Sequence, residues 1–148
     1  MKKEELKDRI DVASEPMTCE IERGMLKRFV QAIGDDNPLW QDEVYAGKTK
    51  YGGTVVPPTF LIIIGNEQFH SYTSEIFASF PNNLNGGTEL EFYQPVRPGD
   101  KLILTTKLTD VYERDIKVGR ATFAIFETSF QNKKEGLTAI YRQTAIFY

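Results

Sequence analysis

The chain has 148 residues, of which 41% are hydrophobic, and it carries a net charge of −3, one cysteine and one histidine. This length suits one domain that buries most of its unfolded-state surface, and the acidic balance without a basic run argues against nucleic-acid binding. The longest apolar run covers only residues 60–64, which is too short to span a bilayer. The charged start of the chain, residues 1–5, lacks the apolar core of a signal peptide. We therefore expect one domain over residues 1–148, with an N-terminal arm at 1–16, in the cytoplasm, where a lone cysteine stays reduced.

Short elements and one amphipathic helix are predicted in the first part of the chain. Residues 3–10 have the spacing of a short amphipathic helix or a frayed arm, and residues 17–21 resemble a strand in which Cys19 is packed and inert. A surface helix is predicted from Arg23 onward because its apolar residues follow the i, i+3, i+4, i+7 rule. These apolar residues are Leu26, Phe29, Val30 and Ile33. Gly34 is expected to end this helix as a C-cap, so that Asp35 begins the next loop.

The remainder of the chain predicts one long loop, one buried helix and a sheet. The loop runs from about residue 36 to 56, long enough to suggest a function. Pro57 and Pro58 open the helix, and residues 60–64 are apolar all round, so this helix should be buried on most sides. From Leu84 onward apolar residues alternate, and breaks at 97–99, 117–119 and 132–136 separate about three long strands. A sheet of this length with one buried central helix predicts an α+β fold.

Three segments, in this order, carry a resemblance to a known family. They are AIGDDNPLW at residues 32–40, VVPPTF at 55–60 and LNGGTELEFYQPVRPGD at 84–100. Together they resemble the MaoC-like (R)-specific enoyl-thioester hydratases and dehydratases, in particular the N-terminal half-domain of the double-hotdog, fatty-acid-synthase-type dehydratases. The resemblance runs from about residue 17 to the end of the chain. It implies a hotdog fold, with an antiparallel sheet wrapped around a central helix, and an acyl thioester of coenzyme A or acyl carrier protein as ligand, without a cofactor.

The acid/base pair that this resemblance implies is incomplete. In the family signature Gly-Asp-x-Asn-Pro-(apolar)-His, an Asp and a His five residues apart share one water. Here Asp35 is kept and Trp40 stands where the His would be, and an indole can neither take a proton from water nor position one for transfer. Asp35 either still orients a water or caps its own turn through Asn37. Trp40 either lines an acyl pocket or fills the space of the missing imidazole.

A second element of the implied mechanism is also missing. The resemblance implies that the thioester carbonyl is polarised by a backbone N–H at the start of the central helix. Matched by hand, this position falls at Pro58, and proline has no N–H. Val56 and Thr59 flank this helix start and are candidate substrate-binding residues. The pair at residues 52–53, Gly52 and Gly53, either lets a pantetheine arm come close or only shapes a turn.

Other polar residues are weaker candidates. His70 lies about three helical turns beyond Pro58 and is expected at the surface, and one Cys with one His gives no transition-metal cluster. Four basic residues either meet coenzyme A phosphates or are solvated: Arg97, Lys101, Lys117 and Arg120.

Three functions remain open. The favoured one is a non-catalytic subunit that forms a (3R)-hydroxyacyl-thioester dehydratase or enoyl-thioester hydratase with a catalytic MaoC-like partner. The alternatives are a homodimeric thioesterase with Glu67 as base, and a module that binds acyl thioesters without turnover. Each predicts a homodimer or heterodimer, since an open sheet edge tends to pair.

Overall fold

The computed structural model describes residues 3–117 and 119–148, so Met1, Lys2 and Val118, which belong to the charged start and to the predicted break at 117–119, lie outside the described residues. Within this part of the chain there are four α-helices, five strands and one 3-10 turn. The helices are α1 (Lys3–Lys7), α2 (Arg23–Ile33), α3 (Glu43–Gly47) and α4 (Phe60–Ala78). The strands are β1 (Met17–Glu20), β2 (Asn83–Phe92), β3 (Lys101–Ile116), β4 (Gly119–Asn132) and β5 (Gly136–Phe147), and the 3-10 turn is Pro38–Trp40.

The five strands form one antiparallel sheet in the order β1-β3-β4-β5-β2. The alternation predicted for β3 is confirmed, because every second residue is buried: Leu102, Leu104, Thr106 and Leu108. The prediction of about three long strands from Leu84 onward was one short, since the structure has four there, β2 to β5. Strand β2 lies in the predicted region, but nine of its ten residues are exposed, so it has no alternation of buried and exposed positions.

Helix α4 packs on this sheet and gives the α+β arrangement that the sequence predicts. Its first half lies in a core cluster with α2 and its second half in a cluster with α1, where Leu6 is fully buried. The helix begins at Phe60, later than predicted, and the two prolines lie in the preceding turn, where the Phe60 N–H donates to the Pro57 carbonyl at 2.9 Å.

The prediction that α4 is buried on most sides was wrong for one stripe of the helix. Ile63 is 53% exposed, and the exposed positions continue along the same side with Glu67, His70 and Ser74. A run of apolar residues in a sequence shows that a helix is hydrophobic. It does not show which side of the helix is left without another element packed on it. The surface position predicted for His70 is confirmed. None of the helices in the described residues has the length and apolar character that a membrane crossing requires.

Helix α2 has the predicted bounds, and Gly34 ends it in the left-handed conformation with φ 65°. Its last apolar residue, Ile33, is nevertheless 46% exposed, whereas Leu26 and Val30 are buried. The loop predicted after it was wrong in part, since it contains the 3-10 turn and α3. These elements are too short for apolar periodicity and depend on caps, such as Asp42, whose side chain accepts the N–H groups of Val44 and Tyr45.

Candidate functional site

Asp35 and Trp40 are hydrogen-bonded to each other. The Trp40 Nε1–H donates to Asp35 Oδ2 at 2.8 Å, and the backbone N–H of Asn37 donates to Asp35 Oδ1 at 3.0 Å. Asn37 in turn caps the 3-10 turn by accepting the Leu39 N–H at 3.0 Å. Both carboxylate oxygens of Asp35 therefore have a partner within their own loop.

This arrangement binds the carboxylate without forming an acid/base pair. An indole N–H is a donor only, so it cannot accept the proton that a base must remove from water. The five-residue spacing that places an imidazole beside the Asp in the implied signature places an indole N–H there instead. Trp40 thus stands at the His position of the signature and contacts Asp35 through an N–H that cannot accept a proton.

Trp40 also lines an apolar cleft of about 230 Å³. Its wall includes four aromatic side chains from three separate parts of the chain: Trp40, Tyr51, Phe92 and Tyr93. Val56 and Pro58 contribute from the segment before α4. Among the described residues that line the cleft there is no carboxylate, histidine or cysteine. The cleft is therefore suited to hold an apolar group, and the hydroxyl groups that line it are the phenols of Tyr51 and Tyr93.

Tyr93 provides the titratable group at the wall of the cleft. Its hydroxyl donates to Glu91 Oε2 at 2.9 Å, and Arg142 pairs with the same oxygen at 3.0 Å. The hydrogen bond to Glu91 raises the pKa of the Tyr93 phenol, and the same bond, with Arg142, lowers the pKa of Glu91. Tyr93 is therefore a neutral phenol at physiological pH.

The start of α4 has few backbone donors to offer a carbonyl. Pro57 and Pro58 have no N–H, and the N–H of Phe60 donates to the carbonyl oxygen of Pro57. The N–H of Thr59 is the remaining donor among residues 57–60, and it has no partner in the described residues. Thr59 is exposed and makes no side-chain cap.

A second, polar pocket of about 360 Å³ lies beside the cleft. Gly52 and Gly53 line this pocket, together with Thr54 and Arg97, and do not line the Trp40 cleft. The structure therefore brings Trp40, Val56 and Pro58 together in one cavity, Gly52 and Gly53 in another, and leaves Asn37 and Thr59 outside both.

Sequence reasoning missed Tyr51, Phe92 and Tyr93, because they meet only in the folded chain. A weak pattern was present, since each lies within three residues of a Gly or Pro at a segment end.

Glu67, the residue considered as a thioesterase base, lies on the exposed stripe of α4 and does not line the cleft. Its carboxylate affects the thiol of Cys19. Burial raises the pKa of Cys19, and the negative charges of Glu67 and Glu22 raise it further. Cys19 is half-buried against the core, as expected of a packed thiol.

The described residues contain no cluster of three or more His, Cys, Asp or Glu side chains that could bind a metal ion.

Comparison with known proteins identifies the family of the chain and its fold. A family model described as the FAS1-like dehydratase domain region matches residues 9–139. An uncharacterised relative, the UPF0336 protein of Thermobifida fusca, is 30% identical over 98 residues, which are 65% of this chain and 64% of the relative. The chain thus spans less than two thirds of that relative's length.

Two solved structures have the same fold. A MaoC-like dehydratase superposes with a TM-score of 0.82 at 19% identity, over 96% of this chain and 43% of the longer chain. The HadBC complex of Mycobacterium tuberculosis, a 3R-hydroxyacyl-ACP dehydratase, superposes with a TM-score of 0.76 at 20% identity, over 93% of this chain and 98% of that one. These likenesses establish the hotdog fold. The family match over residues 9–139 shows that the chain belongs to the FAS1-like dehydratase domain region family.

Proposed function

We propose that this chain is the acyl-thioester-binding, non-catalytic subunit of a (3R)-hydroxyacyl-thioester dehydratase or enoyl-thioester hydratase. In this proposal a catalytic MaoC-like partner supplies the Asp/His pair, and the chain holds part of the acyl ligand. It acts on coenzyme A or carrier-protein thioesters in fatty acid metabolism, in the cytoplasm.

The observation that carries the proposal is the hydrogen bond from Trp40 Nε1 to Asp35 Oδ2 at 2.8 Å. In a member of a dehydratase family, the one carboxylate expected to activate water is instead held by an indole and a backbone N–H. The cleft beside it has an aromatic wall, and no carboxylate, histidine or cysteine of the described residues lines it. These two observations support a role in binding without proton transfer.

The solved structures support the idea of a partner. One of them is a complex that is described as a dehydratase, and in another this chain matches 43% of a longer chain. Both observations would fit a second hotdog unit, supplied by the same chain or by another one. For this chain we place the catalytic pair in that second unit.

The test is hydration of hexenoyl-coenzyme A, followed by loss of absorbance of the conjugated thioester. The chain alone should give no more than a trace rate, since loss of one positioned acid/base group costs roughly 10²- to 10⁴-fold. Co-purification with a MaoC-like subunit of the same organism that has an intact Gly-Asp-x-Asn-Pro-x-His should give an active complex. Asp35→Asn in this chain should leave the rate of the complex within about twofold, whereas the same change in the partner should abolish it.

Two results would contradict the proposal. Ordinary hydratase turnover by the chain alone, abolished by Asp35→Asn, would show that Asp35 is a working base. Rapid release of free coenzyme A, abolished by Glu67→Gln and unaffected by Glu89→Gln, would show a thioesterase instead.

A further inference from the structure

Arg97 differs from the other basic residues that the sequence offers as phosphate ligands. Those others are paired with a carboxylate or exposed: Lys101, Lys117 and Arg120. Arg97 is half-buried, and its Nη2 donates to the backbone carbonyl of Tyr51 at 2.6 Å. No carboxylate of the described residues pairs with its guanidinium. Arginine that is removed from water normally has an anionic partner, so this guanidinium is available for an anion from outside the chain.

Thr54 adds hydrogen-bonding groups to the pocket around Arg97. Thr54 lines this pocket, and its hydroxyl makes no hydrogen bond within the described residues. Since no buried side-chain oxygen or nitrogen of the described residues lacks a partner, this hydroxyl is accessible to solvent and to a ligand. The backbone N–H groups of Gly53 and Thr54 also have no partner there. A hydroxyl and two amides without partners, beside a guanidinium without a carboxylate partner, form a set of donors that suits a phosphate.

The charges around the pocket favour an anion. Arg23 and Glu43 also line it, but they pair with each other at 2.6 Å. Asp100 is the other nearby carboxylate, and it accepts the backbone N–H of Arg97 at 2.8 Å rather than the guanidinium. The charge left for a ligand is therefore the positive charge of Arg97.

The position of the pocket indicates which anion it receives. The segments 51–56 and 94–98 line both cavities, with Tyr51 and Val96 facing the apolar cleft and Thr54 and Arg97 facing the polar pocket. The segments are joined by the hydrogen bond from Val56 N–H to the Val96 carbonyl at 2.8 Å. A ligand with an apolar chain at one end and a phosphate further along its length can occupy both cavities at once.

We propose that the Arg97 pocket binds the 4′-phosphate of the pantetheine arm of a thioester whose acyl chain lies in the Trp40 cleft. This inference rests on the proposed function, because it requires a thioester ligand. The 4′-phosphate is common to coenzyme A and to the prosthetic group of acyl carrier protein. Arg97 and Thr54 supply charge-assisted and neutral hydrogen bonds to its oxygens.

The experiment compares three ligands by calorimetry with the full chain: hexanoyl-pantetheine, hexanoyl-4′-phosphopantetheine and hexanoyl-coenzyme A. The phosphorylated arm should bind about tenfold or more tightly than hexanoyl-pantetheine, the size of one charge-assisted hydrogen bond. Arg97→Gln should remove this gain and keep the affinity for hexanoyl-pantetheine, and Thr54→Val should reduce the gain a few-fold. Arg97→Lys should keep part of it. Arg120→Gln is the matched control, because it removes the same charge at an exposed ion pair, and it should keep the whole gain.

Each of the other possible results contradicts one part of the proposal. Equal affinity of the unchanged protein for the first two ligands overturns the phosphate site, as does an equal loss in Arg97→Gln and Arg120→Gln. A gain that appears only with hexanoyl-coenzyme A assigns the pocket to the nucleotide and overturns the 4′-phosphate. Absence of binding to any hexanoyl ligand contradicts the proposed function as well. If Arg97→Gln does not fold, a salt titration decides, because the phosphate gain must weaken with ionic strength while the affinity for hexanoyl-pantetheine does not.

Discussion

At the scale of single residues, Trp40 stands at the His position of the signature and contacts Asp35 through an indole N–H, which cannot accept a proton. The chain after Gly34 turns so that position 40 returns to Asp35, and the Asn37 cap fixes this turn. An imidazole in that position would contact the same carboxylate. Restoring the side chain therefore tests whether the Asp/His pair is the only missing part.

Trp40→His alone should not give a hydratase. The Asp/His pair would be rebuilt, but the carbonyl would still meet Pro58, and a missing oxyanion donor costs roughly 3–4 kcal/mol in barrier height. Trp40→His combined with Pro58→Gly should give partial activity, since the cleft also loses an aromatic wall residue. Rates of hexenoyl-coenzyme A hydration by the parent, single and double variants measure this. High activity of the single variant would show that Thr59, or another donor, already polarises the carbonyl.

Cys19 gives a prediction of pH dependence. Burial, then Glu67, then Glu22 raise the pKa of its thiol, so at a given pH less thiolate is present than in a free cysteine, and alkylation should be slow near neutral pH. Glu67→Gln removes one cause and should move the rate profile of iodoacetamide alkylation to lower pH, while burial keeps it above that of free cysteine. Glu89→Gln, which is not among the causes, serves as the control and should leave the profile unchanged. An unchanged profile in Glu67→Gln would contradict the proximity of these two groups.

At the scale of elements, the parts of the fold that depend on repeated local patterns were predictable from sequence. Helix α2 shows four apolar residues at helical spacing and ends at a glycine, and β3 alternates over many residues. Helix α3 has five residues and depends on the Asp42 cap, and β2 is an exposed edge strand. Such elements are defined by tertiary contacts and single caps, which leave little periodic trace in a sequence.

The same distinction applies to the site. The Asp35 loop, Trp40 and Pro58 were predictable because they lie in contiguous motifs. The aromatic wall was not, because Tyr51 and Tyr93 lie 42 residues apart in the sequence and meet only when the chain folds.

Helix α4 depends on a close approach to the sheet at Gly65. A Cβ at this position would lie 2.9 Å from Tyr141 Cδ1 and 3.0 Å from Phe130 Cζ. Gly65→Ala should therefore destabilise the protein by about 1–3 kcal/mol through overpacking, despite the better helix propensity of alanine. Gly24→Ala in α2 is the matched control, since nothing lies within 4 Å of its Cβ position, and it should be neutral or stabilising. Urea unfolding of both variants measures the difference, and equal stability of the two would contradict the close contact.

At the scale of the whole molecule, one edge of the sheet and one side of α4 are uncovered. Within the part of the chain that the structure describes, strand β2 pairs with β5 alone, and it carries exposed apolar side chains, with Leu84 52% and Phe92 48% exposed. On α4, Ile63 is 53% exposed. Long edge strands with apolar residues tend to pair with another chain, so the isolated chain is expected to associate.

The chain expressed alone should be a dimer or larger in light scattering at micromolar concentration, and Leu84→Glu should shift it toward monomer by placing a charge at the β2 edge. Val44→Glu is the matched control: Val44 is 70% exposed but lies on α3, away from β2, so this change should leave the mass unaltered. When a catalytic MaoC-like subunit is added, it should replace the second copy of the chain and form a mixed complex. If both associations use the β2 edge, Leu84→Glu should weaken the mixed complex as well. A stable monomer, or a dimer equally sensitive to Val44→Glu, would contradict pairing at β2 and would place the contact of the partner on another face of the molecule.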